Sequence, residues 1–174
     1  MEFIVAQVLG GVALILACIG YFLKERYKFL LIQLIANGFY AGAFLVVGAY
    51  VGGLLTLVSI ARCLYLFFAE KYTFKYTYHF IPVFIGLYVL ITNLFWATWW
   101  DIMPLITSTL FTIGFTIKNL QLGKLILIIP NMILVIYNIL ITTYTSAFLD
   151  FIEVIVILLA FLHNRESNTQ FKKE

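Results

Sequence analysis

Charge is scarce in this chain. Of its 174 residues only 11% are Asp, Glu, Lys or Arg, where a soluble domain carries about 25%. With 64% hydrophobic residues, one small core cannot bury the apolar surface, and a bilayer must be part of the solvent. The excess of three positive charges is too small to argue for a nucleic-acid partner. Cysteine is equally rare. Cys18 and Cys63 both fall inside apolar segments with no His or acid at ligand spacing, which reads as small buried hydrophobes and excludes a metal site. The two histidines, His79 and His163, sit at segment edges, and no Ser/His/Asp set exists. An enzyme and a cofactor are therefore not expected. The first apolar stretch is long and lacks a basic leader, so no cleavable signal peptide is read.

What the chain has in abundance is apolar runs. A spanning helix needs about 20 apolar residues, and seven segments meet or approach that: 3–23, 29–49, 51–69, 79–97, 101–118, 124–142 and 145–163. Short polar connections separate them, among them KERYK (24–28), EKYTFKYTYH (70–79) and KNLQLGK (118–124). In a seven-span layout Lys24, Arg26, Lys28, Lys71, Lys75, Lys118, Lys124, Arg165, Lys172 and Lys173 all fall on one side. Arg62 is the one remaining basic residue. The positive-inside rule then puts the N-terminus outside and the C-terminus in the cytoplasm. Trp96, Trp99 and Trp100 fall at the outer ends of spans four and five, where an aromatic belt belongs.

The chain also repeats itself. At an offset of 94 residues IGYFLK (19–24) meets IGFTIK (113–118), Asn37 meets Asn131 and Tyr50 meets Tyr144. One constant offset thus holds polar residues in register through three helices. The predicted fold is all-α and integral to the membrane, a 3+1+3 arrangement of two parallel three-helix repeats. Its parts are residues 1–69, a linker with span four at 70–98, residues 99–163, and a cytoplasmic tail at 164–174. The pseudo-twofold axis runs along the membrane normal, and sites in such proteins lie near the midplane between repeats.

The 3+1+3 plan, orientation and short loops are similar to the superfamily of SWEET sugar facilitators, PQ-loop proteins and PnuC vitamin transporters. Within it the chain most resembles the YgjV family of bacterial inner membrane proteins. The resemblance rests on Arg62 in span three, LVIYN (134–138) in span six, an acid twelve residues after Asn138, here Asp150, and Pro104 ahead of Asn138. It implies a multi-pass protein of the bacterial cytoplasmic (inner) membrane with a transport role. Glu153 departs from the family pattern.

The residues that matter most are the polar ones inside the spans. Thr56, Ser59 and Arg62 in span three correspond by the repeat to Asp150, Glu153 and Val156 in span seven. Spacing of i, i+3, i+6 keeps each set on one helix face. At 1.5 Å per residue Glu153 lies about 12 Å and Arg62 about 16 Å below the outer ends of their spans. The expectation is that Arg62 faces inward and pairs with Glu153 or Asp150. The alternatives are a structural bridge between helices or a snorkelling arginine. One arginine between two acids leaves one acid free to take a proton or a cation. Gln33, Asn37 and Tyr40 share a face of span two, and Asn131 and Asn138 a face of span six. Asn138 is read as lining the site, while Asn37 and Asn131 serve either the site or helix contacts. Thr109, Thr112 and Thr116 are expected to bond their own backbone.

Pro104 and Pro130, with Gly10 opposite Pro104 in the repeat, are the expected hinges. GFYAG (38–42) and GAYVG (48–52) carry GxxxG spacing, a signal for close helix packing or a homodimer. The function expected is a transporter or facilitator of a small polar metabolite, by alternating access and with proton coupling as an option. The substrate-binding residues are Arg62, Asp150, Glu153, Asn138, Asn37 and Asn131. The alternative is a membrane sensor or partner subunit on the same fold, as the related KDEL receptor exemplifies.

Overall fold

Backbone in lipid must satisfy its own hydrogen bonds, so apolar runs of this kind become helices. The computed structural model describes residues 2–46, 48, 50–72, 77–96, 98–140 and 144–170, and among them there are helices and no strands. The α-helices are α1 (Glu2–Phe22), α2 (Arg26–Val46), α3 (Tyr50–Lys71), α4 (Ile81–Leu94), α5 (Ile102–Thr116), α6 (Leu120–Ile126), α7 (Ile128–Leu140) and α8 (Tyr144–Gln170). Single 3-10 turns at Thr77–Phe80 and Trp99–Asp101 precede α4 and α5. Among the described residues five stretches are long and apolar enough to cross a membrane: Ile4–Phe22, Arg26–Val46, Val51–Lys71, Leu120–Leu140 and Ser146–His163. The fourth of these joins α6 to α7 across Leu127. The remaining two apolar helices, α4 and α5, are shorter, at 14 and 15 residues.

The middle helix of each group of three carries the packing. α2 packs on α1 and α3, and α6–α7 packs on α5 and α8. Across the groups α1 meets α8 and α3 meets α5, while α4 lies against α3 and α5. Small residues let α1 approach its neighbours. Ala6, Ala13 and Ala17 are buried along one face, whereas Ile4, Val8, Ile15 and Ile19 are exposed along the other, where lipid belongs. Tyr21, Phe29, Leu30, Leu66, Phe115, Leu127 and Ile157 form the central cluster and come from six different helices or their junctions.

Two glycine positions are dictated by geometry. A Cβ on Gly123 would sit 2.7 Å from the Gly114 carbonyl oxygen, so α5 and α6 touch backbone to backbone there. Gly48 has φ of 74° and turns the chain between α2 and α3, a region that favours glycine. Gly48 is thus a turn residue, and Gly38 has nothing within 4 Å of a Cβ, so neither forms a close GxxxG contact within this chain. Asn119 opens α6 as its N-cap, its side chain accepting from the Gln121 and Leu122 amides at 3.1 and 3.2 Å.

The prolines divide. Pro104 is the third residue of α5. N–H groups of a first turn have no intrahelical partner, so Pro104 removes no hydrogen bond from α5. Pro130 is the third residue of α7, just past the interruption at Leu127, and is fully buried. Gly10 lies within an unbroken α1, with nothing within 4 Å of a Cβ. Lys75, Lys172 and Lys173 lie outside the described residues.

Candidate functional site

Three polar clusters sit inside the bundle. The first surrounds Glu153 on α8, which is 6% exposed. Tyr21 of α1 donates to its Oε2 at 3.1 Å and Tyr40 of α2 donates to its Oε1 at 2.9 Å. A carboxylate with both oxygens held by phenols is a satisfied acceptor that ties α8 to α1 and α2. Asn131 of α7 joins the edge of this cluster. Its side chain interacts with the Tyr21 hydroxyl, and its Nδ2 donates to the Leu127 carbonyl at 3.0 Å. One turn from Glu153, Asp150 accepts from Asn138 Nδ2 at 2.6 Å, linking α8 to α7.

The second cluster surrounds Arg62 on α3, which is 2% exposed. Its NH1 donates to Thr112 Oγ1 of α5 at 3.0 Å and to the Tyr88 hydroxyl of α4 at 3.4 Å. Among the described residues its NH2 has only the Cys63 sulfur, at 3.8 Å, and its Nε has no hydrogen-bond partner. The guanidinium lies over the Phe115 ring, 4.8 Å from the centroid. Ser59 reaches the Tyr88 hydroxyl at 3.3 Å.

The expected pairing of Arg62 with Glu153 or Asp150 is therefore not formed. Among the described residues no ion pair joins them. The arginine turns to α4 and α5, while the acids turn to α1, α2 and α7. The physical reason is helix rotation: the carboxylates of α8 face tyrosines of α1 and α2 and the asparagine of α7, while Arg62 faces Tyr88 of α4 and Thr112 of α5. Asn37 of α2 borders the Arg62 cluster: its Nδ2 donates to Cys63 Sγ at 3.8 Å and to the Gln33 carbonyl of its own helix at 2.7 Å. A charge at a bilayer centre costs at least ~2.5–3.5 kcal/mol on insertion scales. An orphaned buried donor adds about 1–3 kcal/mol. Neutral partners therefore leave Arg62 under-compensated.

The third cluster closes one end of the bundle. Lys124 of α6 is fully buried and donates to the carbonyls of Tyr21 and Leu23 at 2.7 and 2.6 Å. It thereby caps the C-terminus of α1. Arg26, at the start of α2, does the same for α5, donating to the carbonyls of Phe115 at 2.8 Å, Thr116 at 3.2 Å and Ile117. Its Nε also lies 3.1 Å from Glu70 Oε2 at the end of α3. Cations at helix C-termini satisfy orphan carbonyls and oppose the macrodipole. Only about 10 Å³ of space remains between Arg26, Phe29, Phe115 and Lys124. Nearby, Glu25 is exposed, and the Lys28 ammonium 2.8 Å away holds its carboxyl below the usual carboxylate range.

The threonines of α5 bond their own helix. Thr109 donates to Leu105, Thr112 to Ser108 and Thr116 to Thr112, at 2.9, 2.8 and 2.7 Å. Tyr21, Tyr88, Arg26 and Lys124 were not read as site residues from the sequence. A usable signal existed for the tyrosines, since a phenol in mid-span needs a partner. None existed for the cations, which look like ordinary loop charges.

Helices, lipid-facing apolar stripes and buried polar layers define a multi-pass integral membrane protein. A sequence model of the Imp-YgjV family, described as a bacterial inner membrane protein, matches residues 4–167. The chain belongs to that family and is a multi-pass protein of the bacterial inner membrane. No curated protein and no solved structure matches it.

Proposed function

We propose that the chain is a small-molecule transporter or facilitator built as two parallel three-helix repeats around α4. In this reading its N-terminus is outside and its C-terminus cytoplasmic, as in the SWEET, PQ-loop and PnuC superfamily that its motifs resemble. The observation that carries this reading is the pair of cation clasps. Arg26 grips carbonyls of residues 115–117 and Lys124 grips those of residues 21 and 23. Tyr21 and Leu23 stand 94 residues from Phe115 and Ile117, the repeat offset read from the sequence. Each half thus holds the other half's first helix at equivalent positions. The contacts of α1 with α8 and of α3 with α5 exchange under the same operation.

A rocking transporter needs a polar layer at mid-depth and an end that closes by bonds that can be exchanged for water. The Glu153, Asp150 and Arg62 clusters supply the layer. The clasps supply the closed end, which also carries Lys24, Lys28, Lys71 and Lys118 and so favours a cytoplasmic placement. Asn138, Asn37 and Asn131 complete the proposed solute site, which suits a small polar metabolite. Glu153 and Asp150, one turn apart, are the groups that would carry a coupled proton.

The test is uptake by proteoliposomes of pooled labelled amino acids, carboxylates, sugars and nucleosides, with and without a pH gradient. At least one solute should enter, at least tenfold more slowly for Glu153→Gln. Uptake of none, by protein that is folded, would sink the transport reading in favour of a sensor or partner subunit. Uptake indifferent to the gradient and to Glu153→Gln would remove proton coupling.

A further inference from the structure

The Arg62 guanidinium is anchored on one side and, among the described residues, lacks an oxygen or nitrogen partner on the other. NH1 is held by Thr112 and Tyr88, and the plane is fixed by the Phe115 ring at 4.8 Å. In a guanidinium the Nε–H bond and NH2 share one edge. Along that edge Nε has no partner and NH2 has only a thiol sulfur at 3.8 Å. An arginine edge of this kind presents two parallel donors, the geometry that matches a carboxylate bidentately. A second observation sits nearby. Thr92, one turn beyond Tyr88 on the same face of α4, is 2% exposed, and its hydroxyl too has no partner. The groups in contact with Arg62 through Tyr88, Thr112, Ser59 and Cys63 are all neutral.

We infer that the Nε and NH2 edge of Arg62 receives the carboxylate of a small monocarboxylate solute, with Phe115 beneath the guanidinium and the α4 hydroxyls beside it. One fixed cation with neutral neighbours matches a single negative charge, which disfavours phosphate esters and dicarboxylates. A planar fork matches a planar anion, which disfavours chloride. The acids at Asp150 and Glu153 touch different helices, so they do not compete for the edge. The carboxylate is common to simple acids and 2-amino acids, and Asn37 Nδ2 meets the Cys63 sulfur beside this edge. The shared chemistry is the carboxylate, and the amino group is left to the test. The inference deepens the transport reading and rests on it for the purpose of the site, though not for its existence.

The experiment uses full-length protein in nanodiscs with 15N-labelled arginine. The chain has three arginines, Arg26, Arg62 and Arg165, and the Arg62 Nε–H resonance is the one absent from Arg62→Lys. The probes are monocarboxylates and 2-amino acids of two to eight carbons, each beside its amide, and chloride. The expected result is a saturable downfield shift of that resonance with at least one carboxylate and none with its amide or with chloride. Thermal shift should then show at least tenfold weaker binding of that carboxylate to Arg62→Lys, which keeps the charge and loses the fork. Response to amino acids alone assigns a zwitterion, and response to both series a simple acid. The inference is overturned if no carboxylate moves the resonance, if amides or chloride move it equally, or if Arg62→Lys binds as well. Should Arg62→Lys not fold, Thr112→Val and Tyr88→Phe assign the resonance, and comparing acid with amide in the unmodified protein still decides. Binding without uptake would defeat the transport reading alone. Uptake of a non-carboxylate without any Arg62 response would defeat this inference alone.

Discussion

At Glu153 two phenols meet one carboxylate, at 3.1 and 2.9 Å. Hydrogen bonds to charged groups are worth about 1.5–3 kcal/mol in soluble proteins. Between membrane helices measured values average about 0.6 and reach about 1.7 kcal/mol, because the unfolded chain in lipid also finds partners. The membrane scale applies here. Tyr21→Phe and Tyr40→Phe should each destabilise by roughly 0.6–1.7 kcal/mol, read as a shift in unfolding in mixed micelles. Glu153→Gln, which still accepts at one oxygen, should cost less than the double Tyr substitution. Equal stability of Tyr40→Phe and the parent would show that the bond contributes nothing net. The polar residues of this layer were legible in the sequence as interruptions of apolar runs. Their partners were not. Face and depth bring Arg62 and Glu153 to similar levels, but helix rotation decides which neighbour each meets, and that rotation is not written in the sequence.

Among the helices, apolar segments were legible and their ends were not. Residues 79–97 read as one span, yet α4 covers only Ile81–Leu94, about 21 Å at 1.5 Å per residue. FWATWW at 95–100 carries no charge and only one polar residue, Thr98, so a hydropathy window cannot tell it from helix. The interruption at Leu127 was invisible for the same reason. The backbone contact of α5 with α6 gives a contrast between two glycines. Gly123→Ala places a Cβ 2.7 Å from the Gly114 oxygen and forces the helices apart, at a cost of about 1–3 kcal/mol. Gly10→Ala meets nothing within 4 Å and removes backbone freedom, so it should be neutral or stabilising by about 0.4–1 kcal/mol. Thermal unfolding of both variants checks this. If Gly10→Ala also slows solute uptake while raising stability, α1 flexes at that point during the cycle. Unchanged uptake removes Gly10 from the hinges.

On the scale of the molecule, the opening that the proposed transport cycle requires means giving up the clasps. Arg26 and Lys124 together make five bonds to carbonyls of the opposite half, and an open end would exchange them for water. Each such exchange is nearly balanced, about 0.5–1.5 kcal/mol per bond, so the closed end is held firmly without being locked. Cys63 reports on the event. It is fully buried beside Arg62, and the other cysteine, Cys18, is replaceable by serine. In a Cys18→Ser background, Arg26→Gln with Lys124→Met removes both clasps. A loss of roughly 1.4 kcal/mol from the closed state raises the open population about tenfold. The rate of Cys63 labelling by a small membrane-impermeant maleimide should rise by the same factor, most clearly when the reagent is applied from the face that carries the clasps. Each single variant should give an intermediate rate if the two clasps act on one equilibrium. Labelling that stays slow in the folded double variant would mean that the clasps only fix helix ends, and that whatever movement the bundle makes leaves this end shut.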